Sequence, residues 1–565
     1  MTPRRISAVP PSLLRAVALA ALLFAAPAAL AAPGAAPDPA AAEIARRLDP
    51  AAAAKIDAET LDIDQLRAFY QSRKWKPAWA DQADKIMTVL SAADQEGLPA
   101  GHLHLKAINA RRPAATPTAA AELDLLITDA ALRYAADMRG LRADPREIED
   151  DWFLSPPSFA PEAFLKENTR DLGAALIGLQ PPYAGYQLLR QHLARLHEIA
   201  AAGDWPKVPA GPTIKPGDTD DRVMAVRKRL EATGELASGL VVTDVYDDEL
   251  QAAVKLFQQR HGLTDDGALG RQTVAAMNIS AADRARQVAV NMERWRWLPA
   301  KLEDTHIVVN VPGQWLEVVE DGKAVLTMRT VVGDPDHPTP ALHARLNSLV
   351  LNPVWRVPAS IATKEILPKL KKDPGYLVAN DLEIVSDSFP VGSPESQGVG
   401  FDWKSYKTFP WPLRQQSGSD NALGRIKFNI PNDDDIYLHD TPNHKAFLRA
   451  ARALSHGCVR LERPDDLALY LLRDKDWNKE KLDQQIEDGE TRTVSVGKPI
   501  PVWLLYWTSW VDGDGVLQLR DDIYGRDQRL AEALAHPEPP AHEVAATVTA
   551  PTTVTKAVCE GCRVP

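Results

Sequence analysis

The spacing of apolar positions changes period partway along the chain, and that change divides it. Between about 61 and 201 the repeat is helical: Leu123, Leu126, Ile127, Ala130, Ala131 and Tyr134 recur at three- and four-residue steps, lining one helix face. Trp75, Pro77 and Trp79 form an aromatic knot that reads as core. A Gly/Pro-rich stretch, 202–217, predicts a linker. Helical spacing returns over 218–279. There Val223, Val226 and Leu230 mark one helix, and Leu250, Ala253, Val254 and Phe257 mark a second that stops at Gly262. A turn at Asp265-Asp266-Gly267 precedes a third helix opening near Thr273, and a connecting helix fills 280–304. From 305 onward the period is two. Residues 306–311 and 315–319 read as strands joined by the hairpin turn Glu320-Asp321-Gly322-Lys323, and 325–332 and 348–354 extend the sheet. A loop-rich insertion over 365–424 carries Trp403, Tyr406, Phe409 and Trp411 and predicts a lid. Pro464, Leu467 and Leu471 open a helix, and a closing hairpin occupies 501–530, turning at Asp512-Gly513-Asp514-Gly515. The predicted fold class is multidomain α+β: a mainly helical scaffold (61–201), a three-helix module (218–279) and a β-rich domain (305–500) with a capping insertion.

The ends of the chain change the picture of where it works. Arg4, Arg5 and Arg15, an apolar run over 16–26 and Ala29-Leu30-Ala31 read as a cleavable secretory signal over 1–31. An Ala/Pro-rich tether with a short helix follows over 32–60, and 531–565 reads as a disordered tail. No stretch is long enough to span a bilayer without interruption, so the mature chain is expected to be soluble, exported and periplasmic, with no stable membrane insertion. At 565 residues the chain has room for two to four domains. A net charge of −11 argues against a nucleic-acid partner.

Export gives the cysteines their meaning. There are three, and Cys559 and Cys562 form a C-x-x-C in the tail, which leaves Cys458 as the odd thiol in an oxidising compartment. Cys458 closes the tetrapeptide Ser455-His456-Gly457-Cys458. His439 lies nineteen positions upstream in Tyr437-Leu438-His439-Asp440. A thiol with imidazoles nearby suits thiolate acyl transfer, which needs a soft nucleophile and a base. Gly457 permits a tight turn, and such a turn can aim consecutive N–H groups at one oxyanion. No H-E-x-x-H and no phosphate loop is present, so neither metal nor cofactor is expected.

These motifs resemble the L,D-transpeptidases with a YkuD-type catalytic domain. The likeness runs through Asn352-Pro353-x-Trp355-x-Val357-Pro358, residues 364–368, Leu423-Gly424-Arg425-Ile426-Lys427-Phe428 and Asp522-Ile523-Tyr524-Gly525. The string 253–263 with Asp266-Gly267 and Gly270-x-x-Thr273 resembles the three-helix peptidoglycan-binding module of cell-wall enzymes. Together they resemble the large periplasmic subclass. The resemblance implies that Cys458 is the nucleophile and His439 its base, with Asp440 or a backbone carbonyl orienting the imidazole. It implies that the N–H groups of Gly457 and Cys458 hold the oxyanion, that Ser455 and His456 support the turn, and that Tyr437, Arg460, Arg425 and Trp355 meet substrate. The partner implied is peptidoglycan, whose tetrapeptide stems serve as donor and acceptor in 3→3 cross-linking, with other cell-wall enzymes as further partners. The residues alone leave open an L,D-carboxypeptidase using water, and a non-catalytic wall-anchoring protein.

Overall fold

A computed structural model describes residues 38–52, 55–239 and 243–535. The secretory signal, the start of the tether, and the tail with Cys559 and Cys562 lie outside the described residues.

The N-terminal helical body is built around the helix Pro117–Met138, which packs on most of its circumference. Its buried polar positions are therefore paired internally. Asp124 accepts from the N–H groups of Ala78 and Trp79 at 2.9 and 2.8 Å and from the Tyr70 hydroxyl, and Asp129 lies 2.6 Å from His104 Nε2. The aromatic knot is core in part: Trp79 is fully buried and stacks on Phe69 at 5.6 Å. One expectation is corrected here. Residues 39–60 are not a free tether, because the helix Pro39–Arg47 and the ribbon that follows put Ile44, Leu48 and Ile56 into the same core.

The three-helix unit has helices Val223–Thr233, Asp248–Arg260 and Arg271–Met277. Val223, Val226, Leu230, Leu250, Val254 and Phe257 meet in its core. The preceding Gly/Pro segment is likewise not a loose linker. Val208 and Ile214 enter that core, and Trp205 lies under the Arg229 guanidinium at 3.8 Å. Gly/Pro composition reports backbone shape, not lack of packing.

The catalytic sheet comprises β1 (Thr305–Asn310), β2 (Trp315–Glu320), β3 (Lys323–Gly333) and β4 (Leu342–Leu351), then, past the cap, further strands. Asp321 and Gly322 both have positive φ (49° and 77°), the mirror-image turn that suits a tight hairpin between β2 and β3. The cap contributes β5 (Trp355–Val357), β6 (Leu382–Ile384) and β7 (Leu413–Gln415), paired in the order β5-β7-β6. The sheet resumes with β8 (Ile426–Asn429), β9 (Leu438–His439), β10 (Ala453–Ser455), β11 (Val459–Leu461) and β12 (Arg492–Leu505). Its order is β10-β3-β11-β9-β8-β4-β12-β1-β2, and β2 also pairs with β3, so the sheet closes on itself. Ile307, Leu316, Leu346, Phe428, Leu438 and Val459 fill the interior.

Two further expectations are adjusted. The insertion is not mostly loop: it has its own three-stranded sheet and a core of Leu367, Leu370, Leu377, Trp403, Phe409 and Leu413, and it recruits β5 from before residue 365. The closing hairpin consists of Ser509–Val511 and Leu517–Leu519, whereas 502–505 belong to β12 and pair with β1 inside the main sheet.

Candidate active site

The site is a product of strand register. Leu438 pairs with Val459 and Phe428 with Leu438, and all three are fully buried in the interior. Side chains alternate along a strand, so their neighbours point outward together. His439 is opposite Arg460 on one side and Lys427 on the other, while Tyr437 and Cys458 are one step back on the same face. The Val459 N–H donates to the Tyr437 carbonyl at 3.1 Å, which fixes the offset.

Cys458 sits at a turn held from three directions. The Ser455 hydroxyl donates to the Cys458 carbonyl at 2.6 Å, and the Thr339 hydroxyl donates to the Gly457 carbonyl at 2.7 Å. The Asp334 N–H donates to the Ser455 carbonyl at 2.8 Å. Gly457 has φ of +104°, a region that an L side chain enters only with strain. Among the described residues the N–H groups of Gly457 and Cys458 find no acceptor, although Gly457 is buried. Unsatisfied donors beside a thiol are the kind of group an oxyanion hole is built from.

Burial raises the Cys458 thiol above its ordinary range. The Tyr437 backbone and hydroxyl, Lys427 and Arg460 all pull the other way and do not cancel it. Sγ lies 3.8 Å from the Asp435 carbonyl, a resting acceptor for its proton. The Tyr437 ring lies under Lys427 Nζ at 4.0 Å, and its hydroxyl acts on the thiol in the direction that favours the thiolate. Desolvation keeps the Tyr437 phenol well above its ordinary range.

His439 is buried, and desolvation, then the charge of Arg460, push it down to about 3. Its Nδ1 lies 2.5 Å from the Asp440 carbonyl. A carbonyl only accepts, so this contact calls for the proton on Nδ1, and the backbone of Leu423 is a second group that favours a protonated ring. The orienting group is thus the backbone of Asp440. The Asp440 carboxylate is engaged elsewhere: it accepts from the Arg425 N–H at 2.8 Å, and burial raises its pKa.

The other candidates separate. His456 Nε2 pairs with Glu365 Oε1 of the cap at 2.6 Å, and its ring packs on His337 at 4.4 Å, so it joins the turn to the cap. Arg460 and Trp355 face the thiol side, and Arg460 Nε is buried with no partner. Arg425 does not join them. It lies 3.8 Å from Asp440 and 3.5 Å from Asp465, exposed and occupied by carboxylates. Lys427 and Glu365 lie inside the motifs that carry the resemblance, but no role at the site was expected of either. The strand register Lys427↔His439 is the signal that finds the first, and it requires knowing which strands are neighbours.

With this geometry in hand, comparison with known proteins is decisive at the domain level. Residues 304–501 match the L,D-transpeptidase catalytic domain (YkuD), 64–193 the scaffold domain, and 219–277 the family described as "Putative peptidoglycan binding domain". The chain carries a YkuD L,D-transpeptidase domain. A curated relative from Haemophilus influenzae, named "Putative L,D-transpeptidase", is 35% identical over 276 residues, covering 47% of this chain and 54% of the relative. The chain therefore spans about half the length of the curated relative it matches. Among solved structures, an L,D-transpeptidase from Stackebrandtia nassauensis is 15% identical, with 53% of this chain and 96% of that one covered at a TM-score of 0.22. One from Xylanimonas cellulosilytica is 16% identical, with 53% and 99% covered at 0.18. At these scores the overlaps carry no argument.

Proposed function

We propose that the protein is a peptidoglycan L,D-transpeptidase that forms 3→3 cross-links through a cysteine thioester, exported to the periplasm by its N-terminal signal. The observation that carries the reading is the joint arrangement at residues 455–458: a thiol on the same sheet face as a neutral imidazole, next to two N–H groups without acceptors. Sulfur of Cys458 adds to the carbonyl of the diaminopimelate at position three of a tetrapeptide stem, and its proton passes to Nε2 of His439. The Gly457 and Cys458 N–H groups receive the developing oxyanion. His439 then returns the proton to the departing D-alanine amine as the C–N bond breaks, leaving a thioester. The side-chain amine of a second stem's diaminopimelate attacks that ester, His439 takes the proton the amine loses and passes it to the departing thiolate, and the new amide is the cross-link.

Two features support a thioester that waits for an amine. The thiol is buried enough for desolvation to be its dominant influence, which limits water near sulfur. The low proton affinity of His439 means that the thiolate–imidazolium pair is disfavoured at rest, so ionisation belongs to the substrate complex. The test is product analysis by mass spectrometry of tetrapeptide stems incubated with the full chain. Dimers linked 3→3 and free D-alanine are expected, and Cys458→Ala is expected to yield neither. Trimmed tripeptide without dimer means water is the acceptor, and cross-linking by Cys458→Ala removes the nucleophile assignment.

A further inference from the structure

A polar cavity of about 390 Å3 lies between the three-helix unit and the catalytic sheet. One wall is the turn 259–265 that ends the helix Asp248–Arg260. The other is formed by 312–314 and the loop 448–452, with Arg520 and Asp521 at the base. Four guanidinium groups line it (Arg329, Arg449, Arg452 and Arg520) against the carboxylates Asp265 and Asp521. Arg329 is taken by Glu462 at 2.6 Å. Among the described residues the other three form no ion pair within 4.0 Å. Arg452 spends its N–H groups on the carbonyls of Thr330, Gln314, Arg449 and Ala450. Arg520 gives Nη1 to the carbonyls of Arg260 and Leu519 at 2.9 and 2.8 Å and lies over the Trp510 ring at 4.8 Å, while its Nε and Nη2 have no hydrogen-bond acceptor among the described residues. The Arg449 side chain is exposed and has none either.

Positive charge here is therefore undercompensated. Burial lowers Arg452 and Arg520 to about 10; Arg329 pushes the first down further and Arg452 the second, while Glu462 and Asp521 respectively offset this only in part. The fit is tight as well: a Cβ on Gly262 would lie 2.4 Å from Arg520 Cδ, so the module turn closes directly over this arginine. A planar guanidinium with two free donors matches a carboxylate or phosphate fork. The loop 448–452 also runs directly into β10 and the catalytic turn, so an occupant of the cleft braces the segment that presents Cys458.

We propose that this cleft is a second anion site that holds a carboxylate of a peptidoglycan stem peptide, on a strand bridging the three-helix unit and the catalytic domain. The proposal rests on peptidoglycan being the substrate, as above. It is tested by titration calorimetry on the full chain carrying Cys458→Ala, using a soluble disaccharide-tetrapeptide, the same compound with its carboxyl groups amidated, and inorganic phosphate. Arg449→Glu and Arg520→Gln are each expected to weaken binding of the acid form about tenfold, the scale of losing one charge-assisted contact, and the amidated compound is expected to be insensitive to both. Arg449 has no side-chain partner, so R449E decides the matter even if R520Q fails to fold. Equal binding of the acid form by parent and R449E overturns the proposal. Arginine-dependent binding of phosphate without the stem peptide, an adventitious ion only, overturns it too. Cross-linking by the unmodified chain is scored separately. Its absence with arginine-dependent binding intact sinks the transpeptidase reading alone, and its presence with arginine-independent binding sinks the cleft alone.

Discussion

At the thiol, burial and polar neighbours pull in opposite directions, and burial prevails. The Tyr437 hydroxyl favours the thiolate, so Tyr437→Phe is expected to raise the thiol pKa further and to slow alkylation near pH 8 severalfold. An unchanged rate–pH profile removes Tyr437 from thiolate stabilisation. His439 gives a prediction with a definite sign. Its folded-state pKa of about 3 lies below the ordinary 6.5, so between these values the unfolded chain binds the extra proton. The stability tied to the neutral imidazole is complete above pH 6.5 and is lost as pH falls towards 3, by up to about 4–5 kcal/mol. Other buried histidines, His261 among them, shift the same way, so the test is a difference: urea unfolding of His439→Gln is expected to depend less on pH between 6.5 and 4 than the parent does. Parallel slopes contradict a buried neutral His439. The Cys458 thiol, the His439 imidazole and Gly457 were legible in the sequence as a proposed site, because they sit in short local motifs. Lys427 and Glu365 were not, because one reaches the site through strand register and the other through the cap. Asp440 was legible as a neighbour of His439, but which of its oxygens does the orienting is a matter of backbone direction.

Strands and loops hold the catalytic turn through a relay that begins far away in sequence. The Tyr524 hydroxyl donates to the Gly333 carbonyl at 2.6 Å and accepts from the Thr339 N–H at 3.2 Å, and the Thr339 hydroxyl in turn holds Gly457. Asp522-Ile523-Tyr524-Gly525 stood out in the sequence, yet its use is tertiary: it fixes the 333–339 loop that holds Gly457, next to Cys458. Tyr524→Phe strands a buried carbonyl and a buried N–H, a loss of about 1–3 kcal/mol. A drop in Tm is expected, together with a fall in kcat and little change in the pH dependence of Cys458 alkylation, since no group near sulfur is altered. A shifted alkylation profile means that Tyr524 acts on the thiol itself. The elements were readable from period where one face is buried, as in 223–230 and 306–319. Period failed where polar composition concealed packing. The 202–217 segment is anchored by Val208 and Ile214 despite its Gly/Pro content, and the cap gains its core from Trp403 and Phe409, which looked like isolated loop aromatics.

Across the whole molecule, the helical N-terminal body is fastened to the catalytic domain beside the active site. Ala341, just before β4, exchanges backbone hydrogen bonds with Asp151 and Phe153 at 3.1 and 2.8 Å. Behind this pairing lies Arg526, buried on the helix Arg526–Ala535. It forms an ion pair with Asp151, lies 3.8 Å from Glu149, and faces the rings of Trp152, Tyr506 and Tyr524. Arg529 adds a two-pronged contact to Glu149 at 2.7 and 2.8 Å. The scaffold therefore shares a charge network with Tyr524, and Tyr524 shares hydrogen bonds with the loop under Cys458. Removing one member of a buried ion pair costs about 3–5 kcal/mol, because the remaining charge is left without compensation. Arg526→Met keeps much of the apolar stem but deletes the charge, leaving Asp151 unpaired against the catalytic domain. It is expected to loosen the seam while the sheet persists, so calorimetry should show the N-terminal body unfolding in a separate, earlier transition. Arg529→Met, at an exposed position with Arg526 still in place, is expected to lower Tm only slightly. If the two variants lower Tm equally, or if Arg526→Met still unfolds in one step at the parent temperature, the seam is held by its apolar contacts and the buried arginine is not its fastening.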